Sequence, residues 1–435
     1  MRVGNILDYV AGETRTFAEL PFNEVDALVF AQLAYEDVPD AVPTLDGLEE
    51  SQGTLRRRLR AFSPHHPFSS LRQVARPTFS EVTIAELDRL LHGDESTDAD
   101  AHPEDDGDRH EAQRETHRLS HREARHEAHH EAHMVHFVDP KVIHDFHRTV
   151  ASSPRFADVL VGAFGHSFDE DRQTQFAAVT YLLDDEAGTM VVAFRGTDDS
   201  LVGWKEDFNM SFQYPVPAQR SAADYVRRLA ALRRNNPLIL VGHSKGGNLA
   251  VYAAMNADER TDRRIERVFS LDGPGFPDRV VHSGAYAAVS GRVTKIVPDS
   301  SIIGMILETP EPCEVIASDA AGLMQHFAFS WQVEGDHFVR RDEIASSSQT
   351  FNAELNDWMA SLTEEQREHA VDALFSVLGA SGASDFSGLM SALPMAIPSM
   401  IGTVAGLTPD ERRHIGSALK ILAAAAMARR TPAKQ

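Results

Sequence analysis

The 435-residue sequence predicts an α/β fold: a mainly parallel sheet with flanking helices and helical N- and C-terminal additions. First, strand-like and helix-like segments alternate between residues 176 and 335, as they do in parallel sheets. Second, "PLILVG" (237–242) is apolar throughout, which is typical of a strand buried on both faces. Third, 42% of the residues are hydrophobic, enough for a sizeable core.

Residues 1–91 are predicted to form a helical N-terminal part of the same domain. Five apolar residues of "FNEVDALVFAQLAYEDV" recur at near-helical spacing: Val25, Leu28, Val29, Leu33 and Val38. We therefore expect one face of this helix to pack inward. "TIAELDRLLHG" predicts a short helix that ends just before its glycine.

Residues 92–136 are predicted to be an acidic, histidine-rich, low-complexity insert. They hold ten of the chain's 21 histidines, and 5 Lys and Arg against 13 Asp and Glu. With almost nothing apolar to bury, such a segment cannot offset its own ordering entropy. His126-Glu127-Ala128-His129-His130 fits the zinc-protease pattern H-E-x-x-H, but a match is expected by chance in so repetitive a tract. Weak metal binding by the tract is a separate hypothesis.

Residues 137–349 are predicted to form the core of the fold. The strand-like segments are "FAAVTYLL", "TMVVAFRG", "PLILVG", "IERVFSL", "RVTKIV", "CEVIAS" and "FSWQVEG", with "AADYVRRLAALRR" and "NLAVYAAMNA" as helices between them. Residues 350–435 have a helical pattern. Within them, Phe386–Leu407 carries no charge and is about long enough to span a bilayer. Its two prolines and modest hydrophobicity favour a buried or capping hairpin, with a lipid-contacting flap as the alternative.

The charge and the cysteine content limit the partners and the compartment. A formal net charge of −23 disfavours nucleic acid and anionic membrane surfaces. Cys313, the single cysteine, allows no disulfide within the chain and is expected to be a small core residue. No apolar segment of the secretory type follows Arg2. We therefore expect a cytoplasmic protein, and the sequence indicates no cofactor.

The stretch Gly242-His243-Ser244-Lys245-Gly246 matches G-x-S-x-G, between an apolar strand and an alanine-rich helix. In this motif a strand turns sharply into a helix and presents the serine hydroxyl at the apex. The flanking glycines are needed because a Cβ there would strike the neighbouring strand or helix. The motif predicts an α/β-hydrolase-like fold with Ser244 as a nucleophile.

A serine nucleophile needs a base and an orienting acid, which follow it in the chain in this architecture. His326, in "GLMQHFAFSW", is the preferred base, and His337 is the alternative. Asp272 and Asp299 each end a predicted strand, where a triad acid should lie. The sequence leaves both acids open, with Asp272 slightly favoured.

The same chemistry needs an oxyanion hole. One donor is expected to be the backbone N–H of Lys245, directly after the serine. Thr197, in "VVAFRGTDDS", is expected to offer both its N–H and its hydroxyl. The Lys245 side chain is expected to face solvent or to meet an anionic group on a substrate, since a cation is unfavourable at a helix start.

Several segments together resemble one bacterial family: "FRGT", "GWKEDF", "VGHSKGGNLA", "DGPGF", "SSIIGMIL" and "QHFAFSW". They resemble the Mbeg-like α/β-hydrolase-type proteins, a family of unknown function related to class 3 lipases. The resemblance implies a serine hydrolase with Ser244 as nucleophile, His326 as its histidine, Thr197 in the oxyanion hole, and Trp204 and Asp207 as a structural pair.

The chain departs from the related patterns at two positions. Class 3 lipases place their acid just before a "VP"-type pair, where this chain has Lys295-Ile296-Val297-Pro298, and this moves weight to Asp272. The family tends to have an acidic residue after the histidine, where this chain has Phe327. The resemblance implies a reaction class but no substrate.

Three hypotheses about function follow. The first is an intracellular serine hydrolase of lipase or esterase type, acting on a small-molecule or lipid ester, with peripheral contact to lipid. The second is an inactive interaction protein that retains the fold. The third is metal binding by the histidine tract.

Overall fold

The computed structural model describes residues 3–60, 74, 78–93, 139–169, 174–197 and 201–379. Their main sheet has seven strands arranged in chain order: β1 (Leu160–Asp169), β2 (Thr174–Leu182), β3 (Met190–Phe194), β4 (Leu238–His243), β5 (Ile265–Leu271), β6 (Val293–Pro298) and β7 (Cys313–Ile316). Strand β2 is antiparallel to both of its neighbours, β1 and β3. Strands β3 to β7 run parallel to one another. The predicted α/β fold with a mainly parallel sheet is confirmed.

Helices precede, connect and follow these strands. Those before the sheet are α1 (Ile6–Gly12), α2 (Glu24–Leu33), α3 (Leu45–Gln52), α4 (Leu55–Arg60), α5 (Ile84–His92) and α6 (Pro140–Ser152). Those between strands are α7 (Leu201–Asn209), α8 (Pro217–Leu232), α9 (Lys245–Met255), α10 (Glu259–Asp262), α11 (Asp278–Val281) and α12 (Gly284–Ser290). Within the described residues the sheet is followed by α13 (Ser346–Ala360) and α14 (Glu364–Gly379).

The strand order explains which helices cover which face of the sheet. Neighbouring parallel strands that follow one another in the chain are joined by right-handed crossovers, which place all the connecting helices on one face. Met190, Val192 and Phe194 of β3 accordingly pack with α8 and α9. Val191 and Ala193 point to the other face, where they join a cluster that contains residues of α1, α2 and α6. The N-terminal helices therefore complete the second half of the core.

Three sequence-based expectations need correction. Helix α2 is buried on nearly all sides rather than on one face, because it lies across the sheet, and it ends at Leu33, so Val38 lies beyond it. Strand β1 was not predicted; its outer half is exposed and its register with β2 shifts between Gly162 and Gly165. In "FSWQVEG" only Val333–Glu334 (β8) is a strand, paired with His337–Phe338 (β9) in a separate sheet.

The prediction for Phe386–Leu407, and all but the first two residues of the 92–136 insert, lie outside the described residues. None of the described helices combines the length and the apolar character needed to cross a bilayer. Cys313 begins β7 and is partly buried.

Candidate active site

Ser244 lies at the hinge between β4 and α9. Its φ of 59° and ψ of −134° are strained for a residue with a side chain, as in a nucleophile turn. Its N–H donates to the Leu271 carbonyl of β5 (2.9 Å). A Cβ on Gly242 would lie 2.1 Å from the Gly246 backbone, and a Cβ on Gly246 would lie 2.1 Å from the Phe194 carbonyl oxygen. Both glycines are therefore required for strand and helix to cross this closely.

Asp272 and His326 form a buried pair next to this hinge. His326 Nδ1 donates to Asp272 Oδ2 (2.6 Å), while Asp272 Oδ1 accepts from the Ser301 hydroxyl and the Gly304 N–H (3.1 Å). Asp272 is fully buried with a strained φ of 48°. Burial raises the pKa of the Asp272 carboxyl, but the hydrogen bond and charge of His326 outweigh burial, and the pKa is lowered. With Nδ1 as donor, His326 keeps Nε2 as the acceptor that a general base needs.

The alternative acid and the alternative base do not join this pair. The carboxylate of Asp299 instead accepts from Gln325 Nε2 (2.8 Å) and from the Ser300 hydroxyl (3.2 Å). His337 is exposed in β9, and its Nδ1 lies 3.3 Å from Asp336. Asp299 thus helps to shape the loop before His326 without touching the imidazole.

His243 is a residue of the site whose role was not predicted. Its Nε2 donates to the His326 carbonyl oxygen (2.8 Å), and the centroids of the two rings are 4.6 Å apart. Burial, followed by the charge of His326, lowers the His243 pKa to about 3, so its ring stays neutral. Trp331, fully buried, donates from Nε1 to the Gln325 carbonyl (2.8 Å). These two bonds hold the segment that carries His326. The only sequence signal for the role of His243 was its position directly before the serine.

The predicted oxyanion loop borders the serine. A Cβ on Gly196 would lie 2.6 Å from the His243 carbonyl oxygen and 3.1 Å from Ser244 Cβ. The Thr197 hydroxyl donates to Asp207 Oδ2 (2.5 Å), so its proton is directed to that carboxylate rather than to the serine. Burial raises the Asp207 pKa to about 6. The Thr197–Asp207 bond orients the loop. The Thr197 backbone N–H then remains as the candidate donor of this loop to an oxyanion hole.

The expectation for the Lys245 side chain was wrong in both forms. Lys245 is buried, and its Nζ forms an ion pair with Glu206 Oε2 (3.0 Å) and donates to the Gln175 carbonyl (3.0 Å). Glu206 also accepts from the N–H groups of Gln175 and Ala218. From the first position of α9, the Lys245 side chain reaches the Glu206 carboxylate of α7. The Lys245 backbone N–H directly follows Ser244 at the helix start.

Lys295, the residue in place of the class 3 acid, is also buried. Its Nζ donates to the Gly273 carbonyl (2.7 Å) and to Thr309 Oγ1 (3.1 Å), and burial lowers its pKa. Lys295 thus holds the turn that follows Asp272, so the lysine supports the acid on the neighbouring strand. A separate group of potential metal ligands, Glu36, His92 and His147, comes together elsewhere in the described residues.

The profile of a family described as Mbeg1-like matches residues 150–376, which is more than half of the chain. The match covers every residue of the site described above. No curated protein and no solved structure matches the chain significantly.

Proposed function

The chain belongs to the Mbeg1-like family, and from that premise we propose that it is a serine hydrolase that cleaves a carboxylic ester. The observation that carries the proposal is the Asp272–His326 pair, built against the strained hinge that presents Ser244. Ser244, Asp272 and His326 follow one another in the chain as serine, acid and imidazole, which is the order of the triad in the hydrolase architecture. Membership of this family does not by itself imply an enzymatic activity.

In the proposed reaction Ser244 Oγ attacks the acyl carbonyl carbon and His326 Nε2 accepts the hydroxyl proton. The imidazolium then gives that proton to the departing alkoxide, which leaves an acyl group on Ser244. Water, activated by the same nitrogen, hydrolyses the acyl-enzyme and restores the serine. Asp272 holds the Nδ1–H tautomer and stabilises the imidazolium.

No hydrogen bond from Ser244 Oγ is present among the described residues. Catalytic hydrogen bonds are often long without substrate and tighten only in the complex. We therefore propose that the hydrogen bond between Ser244 Oγ and His326 Nε2 forms when substrate binds. The oxyanion donors proposed are the backbone N–H groups of Lys245 and Thr197. The loss of one donor of this kind costs about 2.7–4 kcal/mol of transition-state stabilisation.

The substrate is proposed to be a small-molecule or lipid ester in the cytoplasm, with peripheral contact to lipid and no nucleic acid. The rival hypothesis, an inactive protein with this fold, drew its support from Lys295 in place of the class 3 acid. A carboxylate on the adjacent strand, Asp272, removes that support, because the imidazole has an orienting acid without position 295.

A fluorophosphonate probe tests the proposal on the full chain. We expect wild type to be labelled once, at Ser244, and Ser244→Ala to lose the label together with roughly 10⁶-fold of its turnover of short-chain and long-chain esters. Ser51→Ala, which removes an exposed hydroxyl in α3, is the matched control and should label as wild type does.

Equal labelling of Ser244→Ala and wild type would place the reaction elsewhere. A folded wild-type protein with neither label nor turnover across the ester series would support the inactive alternative. Circular dichroism on both variants distinguishes a lost nucleophile from a lost fold.

A further inference from the structure

We propose that Glu36, His92 and His147 bind a divalent transition-metal ion, best fitted by Zn²⁺, where the histidine-rich insert joins the fold. The three residues come from separate elements. Glu36 follows the end of α2, His92 is the last residue of α5, and His147 lies within α6. Their ligand atoms all lie within 4.8 Å of one another.

The spacing of these atoms is close to what a small cation needs. His147 Nδ1 contacts Glu36 Oε2 directly, and His92 Nε2 lies 3.9 Å from Glu36 Oε1. With zinc–ligand bonds of about 2.1 Å, tetrahedral ligand atoms are about 3.4 Å apart. Small side-chain rotations would therefore bring the three ligands around one ion, which would take the place of the direct His147–Glu36 contact.

Two buried polar atoms at this point have no partner. His92 Nε2 and Asp88 Oδ1 lie 3.8 Å apart, and neither makes a hydrogen bond to any described residue. Buried polar atoms in folded proteins nearly always have a partner, and where the protein supplies none, a bound ion or an ordered water does so. A metal ion bound by the three residues would give His92 Nε2 a partner, and Asp88 lies beside the group without belonging to it.

The donor set selects the kind of metal. Two imidazoles with one carboxylate suit zinc and similar transition metals, whereas Ca²⁺ and Mg²⁺ prefer oxygen ligands alone. His144 packs its ring edge-on to His92, with centroids 4.9 Å apart, and so restricts the rotation of that ligand. Rigid support of this kind tunes metal affinity.

The site is reachable and joins two parts of the chain. The His92 side chain is 26% exposed, and Asp88, 3.8 Å from His92 Nε2, lines a surface cleft of about 740 Å³ between α5 and α6. His92 is the first residue of the insert (92–136) and His147 follows the insert in the chain, so one ion would link a residue at its start to one beyond its end. Tyr35, next to Glu36, places its hydroxyl 3.4 Å from His243 Nδ1. The ion would therefore also steady a residue at the edge of the candidate active site.

Titration of the full chain with Zn²⁺ against a competing chelator tests the proposal, with Co²⁺ absorption as a report on ligand geometry. We expect wild type to hold one ion about 10-fold to 100-fold more tightly than His92→Ala or Glu36→Gln, and to gain thermal stability from one equivalent. His337→Ala, which removes an exposed histidine elsewhere, is the matched control and should bind as wild type does. Histidines of the insert bind further ions equally in all four proteins.

Identical zinc affinity in wild type, His92→Ala and Glu36→Gln would overturn the proposal and assign binding to the insert alone. Circular dichroism checks each fold. Should His92→Ala fail to fold, Glu36→Gln decides the result, because it keeps the side-chain shape and removes only the anionic ligand.

Discussion

Asp26 and Asp272 are two fully buried carboxylates in the same molecule, each paired with a basic side chain. Asp26 lies in α2, on the face of the sheet covered by the N-terminal helices. Asp272 lies at the carboxyl edge of the sheet. Burial and pairing alone therefore do not distinguish a structural acid from a candidate catalytic acid.

The surroundings of Asp26 are closed and complete. Arg155 binds it with two nitrogens (2.8 and 2.6 Å), and Tyr9 and the Asn23 N–H also donate to it. Both charged side chains are fully buried. Arg155 also donates to the Leu20 carbonyl (3.1 Å), so the pair connects α2 to the segment before β1. These hydrogen bonds occupy both carboxylate oxygens of Asp26, which suits a structural role.

The surroundings of Asp272 differ in two respects. Its partner His326 is an imidazole with Nδ1 bound to Asp272 and a second nitrogen that can act as a base, and the His326 side chain remains 14% exposed. Its backbone has a positive φ, as does that of Ser244, whereas α2 is regular. Backbone strain, together with an accessible partner that can carry a proton, therefore distinguishes Asp272 as the candidate catalytic acid.

The largest effect that would sharpen this comparison is expected from Asp272→Asn. An amide can donate to Nδ1 and so favour the His326 tautomer with a proton on Nε2, which cannot act as a base. Turnover of an ester substrate should fall about 10⁴-fold, measured as kcat on folded protein. Asp299→Asn is the matched control and should retain turnover within a few-fold; a similar loss in both variants would contradict the assignment.

Asp26→Asn should show the opposite pattern. It leaves Arg155 buried without a counter-charge, and the free energy of unfolding should fall by about 3–5 kcal/mol in urea denaturation. Turnover per folded molecule should not change. Glu259→Gln, which breaks an exposed ion pair with Arg263, should cost at most about 1 kcal/mol. The comparison breaks if Asp26→Asn keeps its stability but loses turnover.

Asp207→Asn is expected to give the smallest effect, as a change in pH dependence. The Asp207 pKa of about 6 lies above its value near 3.9 in the unfolded chain, so the ionised form is disfavoured by folding. Its contribution to stability is thus favourable below pH 4 and is lost as pH rises to 6, by roughly 3 kcal/mol.

Urea denaturation of wild type and Asp207→Asn across pH 4 to 7 measures this contribution. The variant should lack the decline between pH 4 and 6 and should be the more stable of the two at pH 7. Parallel pH profiles for the two proteins would show that Asp207 ionises normally.

The sequence by itself determined the parts that depend on short-range sterics and periodicity. A short apolar run bounded by turn residues is typical of an interior strand, and Gly242 and Gly246 around Ser244 indicate how closely β4 and α9 cross. The α/β class and the strained hinge at Ser244 could therefore be predicted. The matching histidine, His326, came from chain order and family resemblance rather than from spacing.

Only the tertiary structure decided which groups meet across the chain. Asp272 and Asp299 end neighbouring strands, and the choice between them depends on the path of the loop that returns His326 to the sheet. Lys245 pairs with Glu206, 39 residues away in the chain, and Glu36 contacts His147. No local sequence pattern predicts either contact. Long-range contacts of this kind follow from how helices cross a sheet, which no short window of sequence records.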